Sequence, residues 1–283
     1  MAIITISRGC CSHGLEIAQS VAGKLNYTCI DREVLVDAAS TFDVSERKLI
    51  KSLHDAPGVL ERMTHGREKY IKMIRTALLG YAKQDNMVYC GHAGHLLLPQ
   101  ANHIFKVRIN ADMEHRVKLL RKNRGMSRNE ALNYIEEEDK HREAWTRYLY
   151  RLDLNDSKLY DVIIHLGHLT LEDAASLICS AVSSPSLATT DRSRDIIESA
   201  WIQLQAESAI QHLCEADVDV HEGIVHIYIR NLRIRKTSFI TPKLQHHIDT
   251  TFRDELTREV YKLVKAIPGV QQVICDVDHL SYY

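Results

Sequence analysis

Short apolar runs alternate with longer amphipathic segments over the first two thirds of the chain. The runs are rich in β-branched and aromatic residues and predict five strands: Ala2–Ile6, Tyr27–Ile30, Met87–Cys90, His103–Ile109 and Tyr160–His165. Between them, helical spacing predicts helices at Val59–Ala82, Met113–Arg124, Arg128–Leu152 and Leu171–Val182, the last with Thr170 as its N-cap. This alternation predicts an α/β fold in which helices cover both faces of a parallel sheet.

The pattern changes at a short stretch of small and polar residues, 183–191. Beyond it we predict a helix, a β-hairpin turning at Glu222-Gly223, a second helix and a final strand, at Ile196–Leu213, Val218–Ile229, Ile248–Ala266 and Val270–Val277. The chain therefore divides into an α/β domain over 1–182, a linker over 183–191 and a small α+β domain over 192–283.

Composition and charge narrow the function classes. The 283 residues are 45% hydrophobic and carry 36 basic and 37 acidic side chains, a net charge of -1. This balance argues against nucleic-acid binding driven by bulk charge, and no apolar run approaches the roughly 20 residues that span a bilayer. Seven cysteines without a C-x-x-C pair favour reduced thiols, and with no secretory signal pattern we expect a cytoplasmic protein.

The turn after the first strand carries the strongest candidate chemistry. Ser7–Gly14 lies between a predicted strand and a predicted helix, where backbone N–H groups and the helix N-terminus can hold phosphate. Gly9 and Gly14 have the spacing of the glycines in G-x-x-x-x-G-K-[ST], so the turn resembles a P-loop. Leu15 and Glu16, however, stand where that motif has Lys and Ser/Thr.

Residues 1 to about 182 resemble the cytidylate-kinase-like family of P-loop proteins. The matching stretches are Ile3–Ala18, Cys29–Glu33, Val88–Gly94, Ala111–Val117, Asp139–Arg142 and Tyr160–Ile164. The family's opening pattern resembles S-R-x-x-G-S-G-G-x-x-I-A; here Cys11 and His13 replace glycines, and Leu15 and His92 stand where the family carries arginine. These departures reduce the charge available to phosphate and the space beside the backbone.

The resemblance implies phosphoryl transfer from ATP to a nucleoside monophosphate, with Mg²⁺ as a further cofactor. It places catalytic arginines at Arg8 and Arg142. It implies donor binding at Cys11, Ser12, His13, Gly14, Leu15 and Glu16, and acceptor binding at Asp31, Arg32, Gly91 and His92. No magnesium ligand is identifiable in the sequence, because no Ser/Thr follows the loop and no Asp ends the third strand.

Structural alternatives remain open for these residues. The turn is also compatible with a phosphate loop that has lost its function, Asp31 with a helix N-cap, and Cys10, Cys11 and His13 with a redox or metal site. The arginines of the two charged helices are either lid residues or a solvated face paired with Glu136–Asp139; they are Arg116, Arg121, Arg124, Arg142, Arg147 and Arg151.

The C-terminal region offers a second resemblance. Residues 192–283 are similar to a BON-type domain, a small α+β module associated with binding, through Asp219–Ile229 and Ile267–Val273. The alternative function is therefore a catalytically inactive nucleotide sensor or scaffold whose C-terminal domain binds a protein or small-ligand partner.

Overall fold

The computed structural model describes residues 2–31, 66–91, 93–230, 233–234, 242–277 and 281–282. The chain forms two compact units, Met1–Arg194 and Asp195–Tyr283. Predicted helix residues 59–65, and the candidate site residues Arg32 and His92, lie outside the described residues.

The first unit alternates strands and helices. Its strands are β1 (Ile3–Arg8), β2 (Thr28–Asp31), β3 (Met87–Cys90), β4 (Ile104–Ala111) and β5 (Val162–Leu166). Its helices are α1 (Gly14–Leu25), α2 (Gly66–Ala82), α3 (Gly94–Leu97), α4 (Met113–Arg124), α5 (Arg128–Tyr150) and α6 (Leu171–Val182). The predicted bounds of β3, α4 and α6 are confirmed, as is Thr170, whose side chain accepts from the Asp173 amide in a capping box.

All five strands are parallel, in the order β2-β3-β1-β4-β5. The predicted parallel sheet covered by helices is thus confirmed. In its register Cys90 pairs with Ile6 on one side and with Asp31 on the other, while Arg8 pairs with Ile109. Because carboxyl ends of parallel strands meet at one edge, the turn after β1 lies beside the ends of β3 and β4.

Apolar side chains fix the position of α1 beneath this turn. Ile4 and Ile6 of β1 are fully buried against Ile17 and Val21 of α1, in a core that also includes Ile178 of α6. Burying each such side chain contributes about 1.5–3 kcal/mol. The helix is therefore held firmly under the strand end, and its N-terminus is directed at the turn.

The second unit contains the predicted helix, hairpin, helix and strand in that order, and two further short strands that were not predicted. Its elements are α7 (Asp191–Ile210), which begins in the first unit, β6 (Glu215–His221), β7 (Ile224–Arg230), β8 (Arg233–Ile234), α8 (Pro242–Lys265), β9 (Gln272–Val277) and β10 (Ser281–Tyr282). β7 pairs antiparallel with β6 and parallel with β9, and β8 pairs with β10 in a separate parallel ladder. Among the described helices, none is long and apolar enough to cross a membrane.

Helices α7 and α8 begin several residues earlier than predicted. Thr190 and Ser193 exchange side-chain and backbone hydrogen bonds of 2.9 and 3.1 Å, which caps α7 ahead of Asp191. Pro242 opens α8, a position that proline favours because its missing N–H is not needed there. The predicted linker, 183–191, contains a 3-10 turn at Pro185–Leu187.

Candidate functional site

The turn between β1 and α1 has the backbone geometry of an anion cradle. Cys11 and His13 both adopt the left-handed conformation, each with φ of 55°. No described group accepts a hydrogen bond from the six consecutive amides of Cys11–Glu16, and no side chain caps the start of α1. Successive free amides at a helix N-terminus are a favourable environment for phosphate.

Holding Cys and His in this conformation has an energetic cost. A left-handed non-glycine residue costs roughly 1–2 kcal/mol, which glycine avoids. His13 is held by contacts of its ring, since Nδ1 lies 3.2 Å from Glu16 Oε1 and the ring packs edge-on against His115 at 5.3 Å between centroids. The loop therefore keeps the cradle shape without glycine at these two positions.

Side chains from α4 and α5 brace the loop from outside. The Cys10 amide donates to Asp139 Oδ1 at 2.8 Å, and Arg116 Nε donates to the Cys10 carbonyl at 2.6 Å. Arg116 also pairs with Asp139. Arg116 is buried, so the structure places this predicted lid arginine in the support of the loop. Ser12, a predicted donor-binding residue, is also used internally, because its hydroxyl lies 3.0 Å from the Gly9 carbonyl and 3.2 Å from that of Ile109.

Arg8 and Arg142, the two predicted catalytic arginines, meet at the loop. Arg142 Nη1 donates to the Arg8 carbonyl at 3.0 Å, and its Nη2 lies 3.9 Å from Glu138. Burial lowers the pKa of Arg142, and the neighbouring charge of Arg8 lowers it further. A guanidinium remains charged at neutral pH, so Arg142 adds a second positive charge near that of Arg8.

The Arg8 side chain crosses the N-terminus of α1. A Cβ atom added to Gly14 would lie 2.7 Å from Arg8 Cβ. Farther out, the Arg8 side chain makes a hydrogen bond with Cys90. Burial raises the pKa of the Cys90 thiol, and the charge and hydrogen bond of Arg8 partly offset this rise. Gly14 therefore leaves the space that the Arg8 side chain occupies. Leu15, which stands where a P-loop has lysine, packs against the core. Arg8 instead provides a cation beside the loop.

A cavity of about 240 Å³ adjoins the loop at the ends of β1 and β4. Four guanidinium groups and two carboxylates line it, together with Gly9, Asn110, Ala111, Leu154 and Asn155; the charged residues are Arg8, Arg108, Arg116, Arg142, Asp139 and Glu143. Arg108 is held in place by Tyr160 Oη at 3.1 Å and Asn155 Oδ1 at 3.1 Å. Drug-sized ligands need roughly 300–1,000 Å³, so this space suits a phosphate-sized anion.

The predicted acceptor side is only partly described. Asp31 is the last residue of β2, one residue beyond the predicted strand, and it pairs with Cys90 of β3. Gly91 has a packing explanation, because a Cβ atom there would overlap the hydroxyl end of the buried Tyr89 side chain, and one at Gly94 would overlap the same ring. Acceptor binding at Asp31 and Gly91 stays a prediction.

Sequence comparison identifies the family. Residues 3–168, more than half of the chain, match the profile of the Cytidylate kinase-like family. The chain belongs to this family. The matched range contains the loop, both catalytic arginine candidates and the bracing pair Arg116 and Asp139, so the first unit has a kinase-like nucleotide-binding fold.

One curated protein and one solved structure are similar to this chain. The cytidylate kinase of Sulfolobus acidocaldarius is 30% identical over 105 residues, which cover 37% of this chain and 57% of that protein. The chain thus spans just over half the length of this relative. The crystal structure of an uncharacterized protein from Eubacterium ventriosum aligns with a TM-score of 0.51 and 20% identity, over 64% of this chain and 97% of that one, which shows a shared fold.

Among the remaining arginines of the two charged helices, the solvated-face alternative fits best. Four of them are exposed: Arg121, Arg124, Arg147 and Arg151. Within the part of the chain that the structure describes, no three or more His, Cys, Asp or Glu side chains are grouped so that they could hold a metal ion.

The adjacent thiols in the loop differ sharply in acidity. Cys10 Sγ and Cys11 Sγ lie 3.4 Å apart. A hydrogen bond from Cys10 lowers the pKa of Cys11 to about 7, with help from the charges of Arg116, Arg124 and Arg142 against the effect of burial. The same bond raises the pKa of Cys10, and burial raises the pKa of Cys29 to about 11.

We expect Cys11 to react with iodoacetamide along a titration curve with a midpoint near pH 7, set by its pKa of about 7. The thiolate is the nucleophile, so the rate rises as pH rises through this value. Peptide mass spectrometry after timed alkylation measures it, with Cys29 as the internal control that stays slow until far higher pH. A Cys11 midpoint at the ordinary thiol value would contradict the prediction.

We expect Gly14→Ala to lower the free energy of unfolding by about 1–3 kcal/mol, because the new methyl group forces Arg8 and the start of α1 apart. Gly23→Ala is the matched control in the same helix. Its Cβ would meet nothing within 4 Å, so it should stabilise by about 0.5–1 kcal/mol. Urea unfolding measures both, and equal signs for the two variants would disprove the account of Gly14.

Proposed function

We propose that the first unit binds ATP through the amides of Cys11–Glu16 and transfers the terminal phosphoryl group to a nucleoside monophosphate. The observation that carries this proposal is the run of free amides next to a cavity with four guanidinium groups. Phosphoryl transfer depends on positioning and on neutralising phosphate charge, and both are available here. Membership of the cytidylate kinase-like family supports the reaction class.

Each residue has a role in this proposal. The amides of the loop hold the donor phosphates, and Arg8 supplies the cation that a P-loop lysine would otherwise supply. Arg142 approaches from α5 and stabilises charge on the phosphoryl group in transfer. An acceptor phosphate oxygen near Asp31 attacks the terminal phosphorus, and the bond to the bridging oxygen breaks, so that ADP leaves with that oxygen.

Magnesium is the cofactor that the resemblance implies, and the residues of the loop do not form a protein site for it. The Ser12 hydroxyl is used by backbone carbonyls, and the exposed Glu16 carboxylate pairs with His13. Mg²⁺ commonly keeps several waters and binds through phosphate oxygens. We therefore assign Mg²⁺ no protein ligand and no part in the phosphoryl-transfer steps described above.

A coupled assay of ATP consumption over the common nucleoside monophosphates, with and without Mg²⁺, tests the proposal. We expect turnover that requires a monophosphate acceptor and prefers one base. ATP binding without turnover for any acceptor would overturn the transfer reaction and leave a nucleotide sensor. Arg8→Ala should weaken ATP binding, whereas Arg121→Ala, which removes an exposed arginine, should leave it unchanged.

For the second unit we infer a binding role, as its resemblance to BON-type domains implies. A groove of about 440 Å³ runs along α8 and β9, with Arg253, Arg258 and Tyr261 among its lining residues. Tyr261 is exposed in this groove, so its ring is accessible to a ligand from solvent. Tyr261→Ala should leave ATP turnover and thermal stability unchanged if the groove serves binding; a large loss of stability would instead indicate a packing role.

A further inference from the structure

The sulfur atoms of the phosphate loop are not used by the proposed phosphoryl transfer. Cys10 Sγ and Cys11 Sγ are already at contact distance, 3.4 Å. Cys10 is 4% exposed, whereas Cys11 is half-buried and so reachable by a small reagent from solvent. The Cys11 sulfur is thus accessible, and the buried Cys10 sulfur is in contact with it.

The surroundings favour charge on the accessible sulfur. Arg116, Arg124 and Arg142 all contribute positive potential at Cys11, and Cys10 donates a hydrogen bond to it. The other six cysteines lie in settings that raise the pKa of their thiols: Cys10, Cys29, Cys90, Cys179, Cys214 and Cys275. Reactivity toward oxidants follows thiolate character and exposure, and Cys11 combines both.

We propose that Cys10 and Cys11 form a peroxide-reactive dithiol whose oxidation reshapes the phosphate loop. The Cys11 thiolate attacks hydrogen peroxide, the O–O bond breaks, and Cys11 sulfenic acid and hydroxide form. The Cys10 sulfur then attacks the Cys11 sulfur, and the sulfenic hydroxyl leaves as water with the Cys10 proton. In total two thiols lose two electrons and two protons, and one peroxide becomes two waters.

Closing this disulfide must move the loop backbone. Adjacent Cα atoms lie about 3.8 Å apart, whereas bridged cysteines usually have Cα atoms about 4.4–6.8 Å apart. The Cys10 amide donates a hydrogen bond to Asp139, and the Cys10 carbonyl accepts one from Arg116. Oxidation therefore disturbs these bonds and the amides of Cys11–Glu16, and it lowers affinity for phosphate. This last step rests on the proposed function, whereas formation of the disulfide does not.

The first readout is chemical. Full-length reduced protein is treated with hydrogen peroxide, alkylated and mapped by mass spectrometry. We expect the peptide with Cys10 and Cys11 to lose two hydrogen atoms at least roughly tenfold faster than any other cysteine is oxidised, and dithiothreitol to restore it.

In Cys10→Ser, oxidation should stop at a Cys11 sulfenic acid that dimedone traps. Cys11→Gly, which suits the left-handed backbone, should remove the rapid reaction; Cys179→Ser, far along the chain in α6, should retain it.

The second readout is binding of a fluorescent ATP analogue before and after oxidation. We expect affinity to fall at least roughly tenfold on oxidation and to return with dithiothreitol, with no such change in Cys11→Gly. Rapid oxidation with unchanged affinity would overturn the effect on the loop, and uniform oxidation of all cysteines would overturn the dithiol itself. Absence of nucleotide binding by the reduced protein would contradict the proposed function, while the mass measurement would still decide the dithiol.

Discussion

Arg142→Ala is expected to lower kcat of the proposed phosphoryl transfer by about 10²–10³-fold, with a much smaller change in KM for ATP. Arg142 donates to the Arg8 carbonyl and lines the cavity beside the loop, so its guanidinium is positioned before any ligand arrives. Charge that is already oriented in a partly desolvated site is worth more in the transition state than charge in water. Steady-state kinetics of the purified variant measure the effect.

Arg147→Ala is the matched control for this prediction. Arg147 lies on the same helix, α5, and is exposed, so its removal should change kcat less than twofold. Arg142→Lys separates charge from geometry, because a lysine retains the charge but not the planar fork that reaches the carbonyl. An Arg142→Ala enzyme with wild-type kcat would remove Arg142 from the mechanism.

Asp139→Ala is expected to lower the free energy of unfolding by about 2–4 kcal/mol. The variant leaves the buried Arg116 without its carboxylate partner and the Cys10 amide without its acceptor. Removing one partner of a buried pair commonly costs about 3–5 kcal/mol, and the partial exposure of Asp139 reduces that figure. Chemical denaturation measures the stability, and ATP affinity should fall together with it because the loop loses its brace.

Two further variants test whether the stability lost in Asp139→Ala comes from the Arg116–Asp139 pair. Glu137→Gln, on an exposed neighbour in α5, should change the free energy of unfolding by less than about 0.5 kcal/mol. Combining Asp139→Ala with Arg116→Met gives a double-mutant cycle, in which the double variant should be less destabilised than the two single losses added together. Strict additivity would show that Arg116 and Asp139 do not stabilise each other.

Local pattern predicted most of the fold of the first unit. Strand β3 and helices α4 and α6 follow from apolar periodicity and from the Thr170 cap, which are properties of neighbouring residues. Errors fall at the ends of elements, where single capping interactions decide. Helix α7 begins at Asp191 because Thr190 and Ser193 cap each other, a signal that the apolar pattern alone does not contain.

The site was less accessible to prediction than the fold. The sequence identified the loop, Arg8 and Arg142 as candidates, and the structure brings these together. It left open whether Arg116 and Asp139 belong to a lid or a solvated face, although they hold Cys10 from positions more than 100 residues farther along the chain. The D-x-x-R stretch at Asp139–Arg142 was the available signal, but no spacing rule shows which loop a helix will touch.

The sequence by itself determined the order of the longer strands and helices, the position of a phosphate-loop-like turn and the resemblance to the cytidylate kinase-like family, but not the short elements α3, β8 and β10. These depend on spacing along the chain, and spacing is visible in sequence. The tertiary structure decided which of the charged residues act on the loop: Arg8 over Gly14, Arg142 on the Arg8 carbonyl, and the pair Arg116 and Asp139 on Cys10. Such contacts arise only when the sheet and the packed helices bring distant segments within hydrogen-bond distance, because the energy of a charged pair depends on separation and burial rather than on its place in the sequence.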